Sequence, residues 1–162
     1  MVKKPEPTGQ SDREPGAARP TVAAAPIALI RAREAVMAHF RPLLAERGYT
    51  EQQWRVLRIL GEFGPLDPTQ LARKSALLMP SLTRILKTLE ERGDVERCAD
   101  PRDGRRSMLS ATPSAHATLA KAAASTEAAY AQIERQFGAA KMATLLGLLD
   151  ELARIDPPRG GG

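Results

Sequence analysis

Met79-Pro-Ser-Leu-Thr-Arg-Ile-Leu-Lys-Thr-Leu-Glu-Glu-Arg-Gly93 is the stretch whose reading decides the fold. Leu82, Ile85, Leu86 and Leu89 recur at i, i+3, i+4 and i+7, one apolar stripe of a helix, while Ser81, Thr83, Arg84, Lys87 and Thr88 fall on the opposite side. Pro80 suits the first helical position and Gly93 the position just past the end. The outer face combines short hydroxyl side chains with cations. Such a face can enter a DNA major groove, with hydroxyls for base edges, Arg for guanine and Lys for phosphate. It is also the composition of an ordinary solvated helix, and the flanking segments decide between the two.

Upstream, Thr50-Glu-Gln-Gln53 has capping-box spacing and opens a helix carrying Trp54, Val56, Leu57, Ile59, Leu60 and Phe63, closed by Gly64-Pro65. Asp67-Pro-Thr-Gln70 repeats the logic for a short helix through Arg73, and Ser75-Ala-Leu-Leu78 turns the chain into the helix quoted first. This order predicts a helix-turn-helix. After Gly93 the period changes to two. Val95 and Arg97 alternate with Glu96 and Cys98, Asp100-Pro-Arg-Asp-Gly104 is turn chemistry, and Arg106 to Ala111 can return as a second strand. The hairpin carries Arg102, Arg105 and Arg106 at its tip. It reads either as a wing that places an Arg in the minor groove, with Asp103 bonding the guanidinium, or as a solvated loop. Residues 80 to 106 hold seven basic and six acidic side chains, so only the placement of the cations supports a DNA face.

On either side the expected elements are longer. Residues 1–25, with Pro5, Pro7, Pro15 and Pro20, are predicted to be a disordered arm, because they cannot bury enough apolar surface to offset chain entropy. Residues 26–49 predict one helix with Ile30, Met37, Phe40 and Leu44 on a face, ended by Gly48, with Pro42 placed to bend it. Residues 50–111 are expected to form the winged helix-turn-helix, the DNA-binding unit. In 112–156, Thr112-Pro-Ser114 starts an alanine-rich helix to about Gln136, and a last helix after Gly138 carries Leu145, Leu146, Leu148, Leu149 and Leu152. That helix is too apolar for a monomer's surface. Residues 157–162 are a tail.

Length, 162 residues, suits one domain with an appended oligomerisation element, and a net charge of +5 favours an anionic partner. The single Cys98 excludes an internal disulfide and a Cys-rich zinc site, pointing to a reducing, cytoplasmic setting. Val22 to Ile30 is too short to span a bilayer and is interrupted by Pro26, so a soluble protein without a membrane partner is expected. His39 and His116 sit in separate helices with no ligand set beside them, so neither a metal site nor a cofactor is expected. No acid/base pair, activated nucleophile or phosphate loop points to an enzyme.

With the helix-turn-helix and the wing Asp100-Pro-Arg-Asp-Gly-Arg-Arg106 in place, the chain resembles the MarR family of winged-helix repressors over residues 27–155. Ser81-Leu-Thr-Arg84 with Leu89-Glu-Glu-Arg-Gly93, and Asp103-Gly-Arg105 with Leu109-Ser-Ala-Thr-Pro113, carry the resemblance. Thr50-Glu-Gln-Gln-Trp-Arg-Val-Leu-Arg58 is similar to the branch that controls aromatic-acid catabolism, such as homoprotocatechuate or hydroxynicotinate degradation. The resemblance implies a mainly α fold with a small β-hairpin wing, a winged helix-turn-helix flanked by N- and C-terminal dimerisation helices. It implies a homodimer on a pseudo-palindromic operator in double-stranded DNA. Pro80, Ser81, Thr83 and Arg84 match base-reading positions, Lys87 a phosphate contact and Arg105 the wing arginine.

The effector it implies is a small aromatic carboxylate between the dimerisation helices and the DNA-binding lobe, at positions matched by Trp54, Arg58 and Tyr130, with Arg31 and His39 as lesser candidates. Trp54 and Arg58 lie four apart on one helix face, where an indole can stack on a ring while a guanidinium takes the carboxylate. A core aromatic, a structural ion pair and a dimer-interface residue are the plain readings of Trp54, Arg58 and Tyr130. The expected function is therefore a ligand-responsive repressor of an aromatic-acid catabolic operon; a constitutive or architectural DNA-binding protein without an effector is the alternative. Some relatives sense oxidants through a cysteine near the first helix, whereas Cys98 falls on a strand and reads as a plain thiol.

Overall fold

The structure, a computed structural model, describes residues 21–99, 103 and 107–155. The N-terminal arm up to residue 20, the wing arginines Arg102, Arg105 and Arg106, and the C-terminal tail lie outside the described residues. The described residues divide into two compact units, one up to residue 34 and one from residue 35 on. In the first, a 3-10 turn at Val22–Ala24 leads into helix α1, Ala25–Ala38, which continues into the second unit. Ile27, Leu29 and Ile30 are exposed there.

The single first helix expected over 26–49 is two helices, α1 and α2 (Arg41–Ala45). Pro42 does more than bend it. A proline lacks the N–H for the helical bond and its ring clashes with the carbonyl four residues back. That carbonyl belongs to Ala38, where α1 stops, and Pro42 takes the first turn of α2.

Helices α3 (Glu51–Phe63), α4 (Pro68–Ser75) and α5 (Met79–Glu91) follow as the cap chemistry predicts. Thr50 and Gln53 exchange both bonds of a capping box, and the Asp67 side chain accepts from the Gln70 N–H at 2.8 Å. On α5 the buried residues are Leu82, Ile85, Leu86 and Leu89, the stripe read from sequence. Strands β1 (Val95–Ala99) and β2 (Ser107–Ala111) pair antiparallel, Val95 opposite Ala111 and Cys98 opposite Met108. The hairpin has a third partner that sequence did not indicate. Leu66, between α3 and α4, exchanges both backbone bonds with Leu109, at 3.0 and 2.8 Å, tying the wing to the start of the helix-turn-helix.

Helix α6 (Pro113–Phe137), capped by Thr112, buries Ala115, Ala122 and Ala129, small residues two turns apart. They let it lie close to α3, where Gly61 matters: a Cβ there would sit 2.7 Å from the Leu119 side chain. Helix α7 (Ala139–Ala153) buries nothing and exposes Leu146, Leu148 and Leu152. The core, with Val56, Leu57, Leu60, Leu71, Leu82, Leu89 and Leu109 almost wholly inaccessible, is centred on α3, which touches α2, α4, α5, α6 and β2.

The turn between α4 and α5 carries one strained residue. Ala76 has φ 51° and ψ 44°, the left-handed region that costs an L-residue about 1–2 kcal/mol. Replacement by Gly removes that cost and adds about 0.5–1 kcal/mol of unfolded-state entropy. Ala76→Gly is therefore expected to stabilise the protein by roughly 0.5–1 kcal/mol in urea unfolding, and a loss of stability would show that the Ala76 methyl is packed rather than strained.

Candidate nucleic-acid interface and effector cavity

Beside α3 in the second unit lies a cavity of about 300 Å3, at the lower end of the range for small-molecule sites, about 300–1,000 Å3. Val36, Met37, Phe40, Leu44, Trp54 and Ile59 make its apolar walls, and Glu51, Arg55, Arg58, Glu62 and Tyr130 complete it. Residues 51, 55, 58 and 62 recur at helical spacing, so one face of α3 supplies most of the polar groups. The structure brings Trp54, Arg58 and Tyr130 together here, although 72 residues separate the last two.

Each is held differently. The Trp54 indole is buried, packed at 5.5 Å and 57° on Tyr49, and forms a wall rather than a free platform. Tyr130 reaches across from α6 and leans on Phe40, ring centroids 4.7 Å apart. Its hydroxyl accepts a hydrogen bond from Arg58 Nη1 at 2.5 Å, and the guanidinium carbon lies 5.8 Å from the ring centroid. A planar, permanently charged donor fork and a phenolic hydroxyl therefore converge inside apolar walls. That pair can take a carboxylate bidentately and bond a ring hydroxyl.

His39 is half-buried and not among the lining residues, and Arg31 is exposed in the first unit. His116, read only as a poor metal ligand, lines a more open space beside Trp54, Arg58 and Glu62. Sequence reasoning missed the cavity roles of Arg55, Glu51 and Glu62, which the helical spacing from Arg58 could have signalled. Glu51 pairs with Arg41 of α2 at 2.7 Å. Arg55 has a second attachment outside the cavity: its Nη1 donates to the Ser75 carbonyl at 3.0 Å, at the C-terminal end of α4.

On α5, Pro80, Ser81, Thr83, Arg84, Lys87 and Thr88 are all exposed, opposite the buried leucine stripe. Thr83 donates its hydroxyl hydrogen to the Met79 carbonyl at 2.9 Å and Thr88 donates to the Arg84 carbonyl at 3.3 Å, so in this conformation both present an acceptor to a base edge. Lys87 sits 3.9 Å from Glu91, a loose, exposed pair that contributes little and leaves the ammonium available to phosphate. Among the described residues Arg84 has no carboxylate partner. Cys98 is exposed on β1. Among the described residues no three His, Cys, Asp or Glu side chains gather as a metal site, and no helix is long and apolar enough to cross a membrane.

Residues 49–107 match the profile of the MarR family. The homoprotocatechuate degradative operon repressor of Escherichia coli is 43% identical over 133 residues, 82% of this chain and 90% of that protein. The helix-turn-helix-type transcriptional regulator FarR of Neisseria gonorrhoeae is 42% identical over 130 residues, 80% of this chain and 89% of that one. Among solved structures, NadR in complex with 4-hydroxyphenylacetate superposes with a TM-score of 0.75 at 38% identity, covering 89% of this chain and all of that one.

Proposed function

The chain belongs to the MarR family, DNA-binding transcriptional regulators and not enzymes, and from that premise we propose that it represses an aromatic-acid catabolic operon and is released by a small aromatic carboxylate. One observation carries the proposal: Trp54, Arg58 and Tyr130 meet in a single apolar-walled cavity with the guanidinium and the phenol hydroxyl in contact. A constitutive DNA-binding protein would have that space filled by side chains. The relatives support the choice of ligand class, since one represses a homoprotocatechuate operon and another holds 4-hydroxyphenylacetate.

In this reading the protein acts as a dimer, the exposed apolar side chains of α7 and of the start of α1 lying in the interface between two copies. Two α5 helices then enter successive major grooves of a pseudo-palindrome, half-site centres about 10 base pairs apart. Ser81 and Arg84 read base edges with Pro80 and Thr83 beside them, Lys87 contacts phosphate, and Arg102, Arg105 and Arg106 serve the wing. The acid enters with its carboxylate on Arg58 and a ring hydroxyl at Tyr130. Arg55 connects the site to the DNA-binding unit, because it lines the cavity and also holds the end of α4 through Ser75. A ligand that draws Arg55 toward itself weakens its hold on the turn before α5. Tenfold derepression requires only about 1.4 kcal/mol of such coupling.

The test is affinity for the DNA upstream of the protein's own gene, at one stated salt concentration, titrated with hydroxylated benzoic, phenylacetic and nicotinic acids. Loss of binding with one class of acid is expected; tight binding indifferent to all of them would return the constitutive reading. Arg84→Ala is expected to weaken operator binding by about 1–3 kcal/mol and relax selection at one base position in each half-site. Unchanged affinity and selectivity in that variant would mean that α5 does not lie in the groove.

A further inference from the structure

The start of α5 differs from the starts of the helices packed around it. Helices α3, α4 and α6 each begin on a side chain that accepts a hydrogen bond from its own first turn: Thr50, Asp67 and Thr112. Helix α5 begins on Leu78, whose side chain makes no such bond. A leucine there forfeits the cap that the same chain uses three times, and it also sets apolar surface in water. Leu78 is 79% exposed and Met79 45% exposed, and Pro80 is exposed beside them. One turn further on, Thr83 has spent its hydroxyl hydrogen on Met79. The first two turns of α5 therefore offer side-chain donors only at Ser81 and Arg84, and ahead of them a run of three exposed apolar residues.

We propose that Leu78 and Met79 read thymine by its 5-methyl group, which makes the leading end of α5 a determinant of operator sequence. The proposal rests on the reading that α5 enters the major groove. Within that groove the base edges present one apolar feature, the thymine methyl, and apolar side chains recognise it by contact. A patch of three consecutive residues is too small for a stable protein interface, which needs about 1,000 Å2 or more. It is also continuous with Arg84 and Lys87, cations that suit a duplex rather than an apolar partner. Burying one methyl against hydrocarbon is worth about fourfold in affinity.

The experiment uses the full chain and a duplex that it enriches from a random-sequence pool. Each thymidine of that duplex is replaced in turn by deoxyuridine, which removes one methyl and no hydrogen-bonding group, and affinities are compared at constant salt. One or two positions per half-site are expected to lose about fourfold with the wild-type protein. The double variant Leu78→Ala/Met79→Ala should bind the thymine and uracil duplexes alike, and Leu78→Met, which keeps the apolar surface, should retain the preference for thymine. Indifference of the wild-type protein to every uracil, or an unchanged preference in the double variant, overturns the proposal. So does a change in dimer mass by light scattering in the double variant with the thymine preference intact, which would make the patch a protein contact. If an enriched duplex depends on Arg84 yet tolerates uracil throughout, this proposal falls alone; if no duplex is enriched, the groove placement of α5 falls with it.

Discussion

Arg58→Ala is expected to leave operator affinity within about twofold of wild type and to abolish release by aromatic acids. Arg58 is exposed toward the cavity and not part of the buried core, so its truncation should cost little stability. Its guanidinium is, however, the donor best placed for a carboxylate, because it lines the cavity and already reaches the Tyr130 hydroxyl. Removing the charged donor of a carboxylate's hydrogen bonds costs about 1.5–3 kcal/mol in binding. At about 3 kcal/mol the dissociation constant rises a little over 100-fold, so acid concentrations that release the wild-type protein leave the variant unliganded. Tyr130→Phe separates the two polar contacts. It should lose about 1 kcal/mol for acids whose ring hydroxyl reaches Tyr130, and nothing for acids without one. Calorimetric titration of both variants checks the pair. A normal acid response in Arg58→Ala would place the carboxylate elsewhere.

The second large effect lies away from the ligand. Asp94→Ala is expected to destabilise the fold by about 2–4 kcal/mol, a fall in Tm of roughly 5–15 °C for a chain of this size. The Asp94 carboxylate is buried and accepts from the Tyr49 hydroxyl at 3.0 Å and from Arg92 Nε at 3.1 Å. Arg92 also donates to the Gly48 carbonyl at 2.6 Å and lies 4.1 Å over the Tyr49 ring. The cluster clamps the turn before α3 to the turn after α5. Without the carboxylate the Tyr49 hydroxyl loses its partner in the interior, which is the larger part of the cost. Arg92 can turn to water, since its side chain is 36% exposed, and this keeps the loss below that of a fully buried pair.

Burial first, and then the hydrogen bond to Asp94, raise the Tyr49 hydroxyl above its ordinary 10.0. Its contribution is therefore complete below pH 10 and is lost as pH rises through the folded-state value. Asp94→Ala should flatten that alkaline loss as well as lower stability at pH 7. Guanidinium unfolding at pH 7 and 10.5 measures both, and a cost under about 1 kcal/mol at pH 7 would show that the clamp is dispensable.

What was legible in the sequence follows the range of the forces involved. The α5 stripe and the caps at Thr50, Asp67 and Thr112 were readable because each depends on residues within about seven positions, and the hairpin because its strands alternate on either side of a short turn sequence. The fate of 26–49 was half readable: Pro42 marks a disturbance, but whether a helix bends or stops depends on what the freed ends bond to. In the cavity, Trp54 and Arg58 were visible as an i, i+4 pair, whereas Tyr130 came forward only through the family resemblance.

The chain's own order of residues thus determined helices α3 to α7, the paired strands and the polar outer face of α5. Only the tertiary structure decided that Arg58 meets Tyr130, that Arg55 spans from the cavity to Ser75, that Leu66 joins the wing and that Asp94 locks Tyr49. These contacts join residues 20 to 72 positions apart. Periodicity and capping act through the backbone over a turn or two, and they carry no information about which distant side chains the packed core will bring within a hydrogen bond's length.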